Sequence, residues 1–217
     1  MAVLDTHEQE QLESFKAWWR ENRNHILAGL LIVAVTLGGW RGWQSYQSKQ
    51  VVEAAALFDE FTKQLDSKDA KRIDDAVAAI TGKFASTAYA SRAALLAAQA
   101  NEQSKDMTRA KSQLQWVIAH AGEPSLKDVA RLRLASLLLD EKNYAEAMKL
   151  LEVGHPVAFD GLYADLRGDV LSAQGKNEEA RYAYQLAIDR TDARSMYRNL
   201  IQLKLDGLVL DKGVVAK

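Results

Sequence analysis

The residues that could do acid–base or metal chemistry are few and scattered in this 217-residue chain. Histidine is a frequent general base and metal ligand, and its productive patterns place two ligands on one helix face, as H-E-x-x-H does. The sequence contains no such pattern. The four histidines stand far apart and are His7, His25, His120 and His155. The sequence therefore predicts no metal site.

Nucleophilic and phosphate-binding patterns are missing as well. The chain has no cysteine and therefore no thiolate or disulfide. Gly175-Lys176 lacks the upstream glycines and the following Ser or Thr of a phosphate loop. The carboxylate pairs Asp74-Asp75 and Glu178-Glu179 fall in helical contexts, where they typically face solvent or complement the helix dipole. We predict a protein that is not an enzyme and that uses no cofactor and no small-molecule substrate.

The amino-acid composition narrows the remaining classes of partner and of fold. Lys and Arg total 28 against 29 Asp and Glu, a net charge of −1 that gives no reason to expect a nucleic-acid partner. Helix-forming residues dominate, prolines number only 2, and no alternating β-branched run of useful length occurs. The sequence therefore predicts an all-α fold.

The longest apolar stretch runs from Asn24 to Trp43. No charged residue occurs between Arg23 and Arg41, and at ~1.5 Å per residue this stretch covers roughly 25 Å, near the thickness of a bilayer core. The sequence therefore predicts one transmembrane helix over residues 24–43. Aromatic residues expected at the membrane interfaces are Trp18, Trp19, Trp40 and Trp43.

Two other interpretations of this stretch fit less well. A cleaved signal peptide has a shorter apolar region followed by an A-x-A-like site, which is missing here. A buried helix of a soluble core keeps a polar stripe, whereas Thr36 is the only polar residue between Ile26 and Leu37.

The flanks of the apolar stretch predict its orientation. Residues 1–23 are polar and carry Lys16, Arg20 and Arg23, a slight basic excess over the opposite flank that favours a cytoplasmic N-terminal tail. The rest of the chain then lies across the membrane. Small residues spaced at i, i+4 and i+8 predict a helix-packing face inside the membrane, and they are Ala34, Gly38 and Gly42.

The remainder of the chain repeats itself. Residues 128–153 and 161–186 align at an offset of about 33 residues, with small or apolar residues at matching positions. In three copies, a small residue on a first helix (helix A) precedes an alanine on a second helix (helix B) by a constant interval. These pairs are Ala98 and Ala110, Ala135 and Ala147, and Gly168 and Ala180. The spacing resembles the tetratricopeptide repeat, a helix-turn-helix of about 34 residues.

Neighbouring segments extend the repeats. Residues 51–79 predict a further, degenerate helix pair, and residues 193–205 predict a C-terminal cap. The repeat domain is therefore predicted over residues 44–206, followed by a frayed tail over 207–217. Gly175 falls in the last A–B turn, where positive φ costs little, and Asn143 tolerates the same conformation in the middle copy.

A stack of such repeats typically binds other proteins along the concave surface that its A helices line. In the predicted register, the residues that face a partner are Arg92, Leu95, Gln99, Val129, Leu132, Ser136, Leu162, Asp165 and Asp169.

Several local patterns resemble the YfgM family, the ancillary subunit of the bacterial Sec translocon. They are Phe15-Lys16-Ala17-Trp18-Trp19-Arg20-Glu21-Asn22, Gly39-Trp40-Arg41-Gly42-Trp43, Arg133-Leu134-Ala135, Ala164-Asp165-Leu166-Arg167-Gly168-Asp169, Gly175-Lys176 and Ala180-Arg181. The chain has Tyr184 where the family typically has Trp.

The resemblance implies a single-span inner-membrane protein with a periplasmic tetratricopeptide-like α-solenoid. It also implies association with the SecYEG channel and with the membrane-anchored periplasmic chaperone PpiD. The implied role is a scaffold or chaperone that assists secreted and outer-membrane proteins at the channel exit. Composition and spacing alone indicate an anchored all-α binding module, which would equally suit a cell-envelope assembly scaffold in division or wall synthesis.

Overall fold

The structure, a computed structural model, describes residues 6–67 and 69–214. Every regular element in these two ranges is helical, so the predicted all-α fold is confirmed. A single 3₁₀ turn, Val157–Phe159, precedes α7. The helices are α1 Thr6–Ser67, α2 Ala70–Lys83, α3 Ala88–Gln103, α4 Met107–His120, α5 Pro124–Asp140, α6 Tyr144–Leu151, α7 Asp160–Ala173, α8 Asn177–Arg190 and α9 Met196–Val214.

The chain divides into two compact units, residues 1–50 and 51–217. The first unit holds the N-terminal part of α1, which among the described residues is the one helix long and apolar enough to cross a membrane. The only polar side chain of its central stretch, Thr36, donates its hydroxyl to Ile32 O at 2.8 Å. This bond satisfies the hydroxyl within the helix, as a hydrocarbon environment requires. The predicted span over 24–43 is thus part of a longer helix.

The second unit is a row of helix pairs. Each of the helices α3 to α9 contacts the helix before it, and the A helices α3, α5 and α7 also contact one another along the row. The B helices are α4, α6 and α8. Such nearest-neighbour packing defines a solenoid. The helix pair predicted over residues 51–79 is also present, because α1 continues to Ser67 and α2 follows.

The small residues of the predicted repeat register are buried. Among them, Ala110, Ala135, Ala147 and Ala180 have no exposed surface. Short side chains at these places let helices A and B approach closely, because a larger side chain would hold the two axes apart. The small residues of the predicted register are therefore buried, as close packing of helices A and B requires.

The three A–B turns share one backbone conformation. Lys105, Lys142 and Gly175 have φ of 63°, 60° and 74°, the left-handed region that favours glycine. In each turn the following amide closes a ring to the preceding A helix, for example Lys176 N to Leu171 O at 2.9 Å. This bond is typical of a Schellman C-cap. In the middle turn the positive φ falls on Lys142, so its prediction at Asn143 was wrong by one residue.

Side-chain caps fix where the helices begin. The Asp69 carboxylate accepts bonds from the amides of Lys71 and Arg72 at the start of α2. The Asp106 carboxylate does the same for Arg109 N at 3.0 Å in α4, and Pro124 occupies the first turn of α5. Both devices are characteristic of helix N-termini, because the first amides have no partner inside the helix.

Two of the helices α2 to α9 depart from the common length of about 14 to 17 residues. Helix α6 has 8 residues, whereas α4 and α8 have 14 each. Helix α9 continues to Val214, and Leu208 is buried in the last core cluster. Helix α9 thus extends past Asp206, where the predicted tail begins, and residues 215–217 lie outside the described ranges.

Three hydrophobic clusters follow one another along the second unit. The first includes Phe61, Ile80 and Leu114, and it extends from α1 to α5. The second is small and lies around Leu151 of α6. The third joins α7, α8 and α9 through Ile201.

Candidate partner-binding surface

The A helices α3 and α5 border an open pocket of about 470 Å³. Two of the predicted partner-facing residues, Gln99 and Ser136, line it together. The remaining lining residues, which the sequence did not predict, are Glu102, Gln103 and Arg133. Gln103 lies one helical turn after Gln99, so helical periodicity could have identified it.

The chemistry of this pocket is that of hydrogen bonding. The Gln99 and Gln103 carboxamides each offer a donor and an acceptor, which matches the peptide group of another chain. Glu102 and Arg133 add one charge of each sign. Arg133 also donates to Leu95 O at 3.3 Å, which links α5 to α3. The arrangement suits binding of a polypeptide.

Several other predicted residues of this surface support the fold. Leu95 is buried in the first core cluster, so it cannot contact a partner directly. Val129 and Leu132 are partly buried and pack against the core clusters. Arg92 is exposed, with Nη2 3.8 Å from Oε1 of Glu123.

The C-terminal end of the predicted surface is occupied by the chain itself. Asp165 is only 2% exposed, and its Oδ2 accepts hydrogen bonds from Tyr197 and Lys204 of α9. The Lys204 ammonium lies 2.8 Å from both Asp165 and Asp169. Tyr184 donates its hydroxyl to Asp169 at 2.8 Å. These carboxylates therefore hold α9 against α7, and Asp165 has no surface free for a partner.

Burial and charge set the protonation of this network. Burial raises the pKa of Asp169 above its usual value, and Lys204 offsets this only in part. Burial opposes the charge of Lys204, but the two carboxylates outweigh it and raise its pKa. Burial and the neighbouring carboxylates also raise the pKa of Tyr184 and of Tyr197. A charged lysine and neutral tyrosines are thus the stable forms here.

A second carboxylate links the middle repeats. Asp128 of α5 is buried, and its Oδ1 accepts hydrogen bonds from Tyr163 at 2.8 Å and Arg131 at 2.7 Å. Because Arg131 lies on α5 and Tyr163 lies on α7, the bond from Tyr163 joins α5 to α7. We assign it a structural role.

A smaller pocket of about 220 Å³ lies near the start of α7. There the His155 ring stacks on Tyr163 with centroids 3.9 Å apart, and its Nδ1 lies 3.4 Å from Asp160 Oδ1. Arg167 donates to Leu151 O at 2.9 Å. These contacts fix the turn that leads into α7. Among the side chains that the structure describes, no three acidic or histidine groups are placed to hold a metal ion.

In the first unit, the aromatic residues that were predicted at the membrane interfaces are exposed. Trp18, Trp19, Trp40 and Trp43 all present their rings outward. The predicted packing face is open as well, since a Cβ added to Gly38 or Gly42 would meet nothing within 4 Å. Ala34 lies on the same exposed stretch. The structure leaves this face free for lipid or another helix.

Comparison with known proteins gives one consistent family. A family model for the tetratricopeptide repeat-like domain matches residues 16–209. The chain is 28% identical over 202 residues to an ancillary SecYEG translocon subunit of Neisseria gonorrhoeae. The proteins of that name are 30% identical over 204 residues in Aggregatibacter actinomycetemcomitans and 27% over 205 in Escherichia coli. Each alignment covers 93% of this chain and 97% of the relative.

No solved structure matches the chain significantly. The match to the repeat model covers most of the chain and agrees with the helix pairs described above. The relatives align over almost their whole length, so the alignments include both the apolar helix and the repeats. The chain therefore belongs to the family of ancillary SecYEG translocon subunits, the YfgM family, with a tetratricopeptide repeat-like domain.

Proposed function

We propose that this protein is a scaffold or chaperone of the bacterial inner membrane that associates with the SecYEG translocon. It assists secreted and outer-membrane proteins where they leave the channel. The observation that carries the proposal is the end-to-end similarity to translocon subunits, across both the apolar helix and the repeats. Its activity is binding, which the carboxamide-lined pocket between α3 and α5 supports.

The proposal includes an arrangement in the membrane. Residues 24–43 span it, the N-terminus is cytoplasmic, and the repeat domain is periplasmic, where it also meets the membrane-anchored chaperone PpiD. Because the chain has no cysteine, single cysteines at Ser14 and Ser45 provide a direct test. A reagent that cannot cross the inner membrane should label position 45 and not position 14. The reverse pattern would overturn the orientation.

Purification of the tagged chain in mild detergent tests the partner. SecYEG subunits and PpiD should be enriched, and failure to enrich the channel in repeated preparations would refute the proposal. Concentration of the protein at division septa, rather than evenly around the cell, would favour cell-envelope assembly instead.

A matched pair of substitutions locates the contact within the chain. Gly38→Leu alters the predicted packing face, and Gly29→Leu changes the opposite side of the same helix; both glycines have open space around them. If the membrane helix makes the contact, only Gly38→Leu should reduce recovery of SecYEG. If the pocket makes it, a photo-crosslinker at the exposed Gln99 should form the adduct.

A further inference from the structure

The smaller pocket, of about 220 Å³ near the start of α7, gathers charged side chains from three segments of the chain. They come from the connection between α6 and α7, from α7 itself and from the last residue of α8, and they are His155, Asp160, Arg167 and Arg190. Two arginines and one carboxylate give the pocket a net positive charge even when His155 is neutral. The pocket therefore attracts anions.

Most of the hydrogen-bonding capacity of Arg167 is unused within the chain. Its Nη2 donates to Leu151 O at 2.9 Å, a bond that fixes the guanidinium group against the last residue of α6. Its Nε is buried and has no acceptor among the residues that the structure describes. A guanidinium group carries five N–H donors, and a buried donor without an acceptor costs free energy. A ligand that brings oxygen acceptors to this side chain is therefore favoured.

The carboxylate of Asp160 is the acidic group of the pocket itself. Its Oδ2 lies 3.7 Å from Arg190 Nη1, and its Oδ1 lies 3.4 Å from His155 Nδ1. Both distances exceed the ~2.7–2.9 Å of a charge-assisted hydrogen bond, so Asp160 engages these two groups only weakly. Because the Arg190 side chain is also 53% exposed, a second carboxylate can reach it from solvent.

The remaining lining is largely apolar, and the pocket is small. The rings of His155 and Tyr163 stack with centroids 3.9 Å apart, and Leu186 lines the pocket while 44% exposed. Pockets for drug-sized molecules usually measure about 300–1,000 Å³, so this one suits a side chain or a terminal residue better than a cofactor. Repeat domains of this kind typically bind other polypeptides, and arginine clusters are a common means of recognising acidic groups on them.

We propose that Arg167 and Arg190 bind a carboxylate of a partner polypeptide, carried by a glutamate or aspartate side chain or by its C-terminus. The two guanidinium groups hold the carboxylate oxygens. The stacked rings of His155 and Tyr163 contact the methylene groups beside the carboxylate, and Asp160 competes with the ligand for Arg190. This site goes beyond the proposed function, because it does not depend on association with SecYEG.

The test uses the full chain in lipid nanodiscs and three rhodamine-labelled peptides of equal length, built otherwise from glycine, serine and leucine. One peptide has a central glutamate and an amidated C-terminus, another has glutamine there and a free C-terminus, and the neutral peptide has glutamine and an amide. In fluorescence anisotropy, at least one carboxylate peptide should bind about tenfold or more tighter than the neutral peptide. The tighter of the two identifies the source of the carboxylate. One common Kd for all three peptides would overturn the inference.

Substitution of an exposed arginine tests the site itself. Arg190→Gln should raise the Kd of the preferred carboxylate peptide by at least about tenfold and leave that of the neutral peptide unchanged. The matched control is Arg181→Gln on the same helix, because Arg181 is 52% exposed and also lies near one carboxylate, that of Glu178. Both variants should keep the thermal midpoint of the wild type, since both side chains are about half exposed. Equal Kd values for the two variants would refute the site.

Two further variants distinguish ligand binding from a structural role. Asp160→Asn removes the competing carboxylate, so it should lower the Kd of the carboxylate peptide. A raised Kd in this variant at an unchanged thermal midpoint would contradict the proposal. Arg167→Lys keeps the charge but loses the planar fork, so it should raise the Kd. Displacement of the carboxylate peptide by inorganic phosphate, at concentrations where acetate has no effect, would assign the pocket to phosphate groups instead and overturn the proposal.

Discussion

Gly168 of helix α7 lies directly beneath the ring of Tyr184 on helix α8. A Cβ added to Gly168 would be 2.5 Å from Cδ1 of that ring, closer than real Cβ contacts. The ring is also held from the other end, because its hydroxyl donates to Asp169 at 2.8 Å. The missing side chain therefore sets the distance at which α7 and α8 cross.

Gly168→Ala should lower the free energy of unfolding by ~1–3 kcal/mol, since Tyr184 must shift and strain its bond to Asp169. Gly207→Ala is the matched control: it lies in helix α9 with nothing within 4 Å. There alanine should stabilise by up to ~1 kcal/mol. Urea unfolding of the full chain in detergent, followed by circular dichroism, measures both. A neutral Gly168→Ala would show that this crossing can adjust freely.

Overpacking the middle repeat should have a similar effect. Ala147 has no exposed surface, so Ala147→Leu should cost ~1–3 kcal/mol by forcing α5 and α6 apart. The neighbouring Ala145 is exposed on the same helix, and Ala145→Leu should change stability by less than ~0.5 kcal/mol. The thermal midpoints of the two variants provide the comparison, and equal midpoints would refute the repeat register.

The A–B turns predict an unusual response to glycine. Lys142 has φ of 60°, which costs a side-chain-bearing residue ~1–2 kcal/mol, so Lys142→Gly should be neutral or stabilising. Ala145→Gly, in the first turn of α6, should instead cost up to ~1 kcal/mol. Gly175→Ala should also destabilise, because Gly175 has φ of 74°. The midpoints of urea unfolding distinguish these variants. A loss of stability in Lys142→Gly as large as that in Ala145→Gly would contradict the turn geometry.

The network that holds α9 should weaken in alkali. In the unfolded chain lysine and tyrosine lose protons near their ordinary pKa values of 10.5 and 10.0, whereas the folded state raises the pKa of Lys204, Tyr184 and Tyr197. Above about pH 10 the folded state therefore binds more protons than the unfolded state, and the free energy of unfolding falls as pH rises.

Lys204→Arg is the control for this pH dependence, because arginine keeps its charge throughout the range. Its stability should fall less steeply than that of the wild type, with the remaining slope due to the tyrosines. Urea unfolding at a series of pH values from 9 upward measures the slope. Identical slopes for the two proteins would show that Lys204 does not contribute.

Local spacing predicted the framework of the repeats. The pairs ending at Ala110, Ala147 and Ala180 are buried as expected, because the interval between small residues is fixed within one helix pair. The turn at Lys142 was displaced by one residue, since the left-handed position is set by where the amide of Asn143 reaches Leu138 O. Residue preference alone favoured asparagine there.

The candidate binding surface was predictable only in part. Gln99 and Ser136 line a pocket as expected, but Asp165 is buried by Tyr197 and Lys204, which lie far along the sequence. Nothing in the spacing of α7 shows that α9 will return to cover it. Contacts between distant helices depend on how the whole row packs, and a repeat register describes each helix pair only by itself.

Because helix α6 is short, the repeat domain should resist bending less at α6 than elsewhere. With 8 residues it closes only a small cluster around Leu151, between the two larger clusters of the row. Because the helices of the row are held together by contacts with their neighbours, the segment with the fewest buried residues deforms most easily. A force applied to the domain should therefore bend it first at α6, so that the two ends of the solenoid move relative to each other.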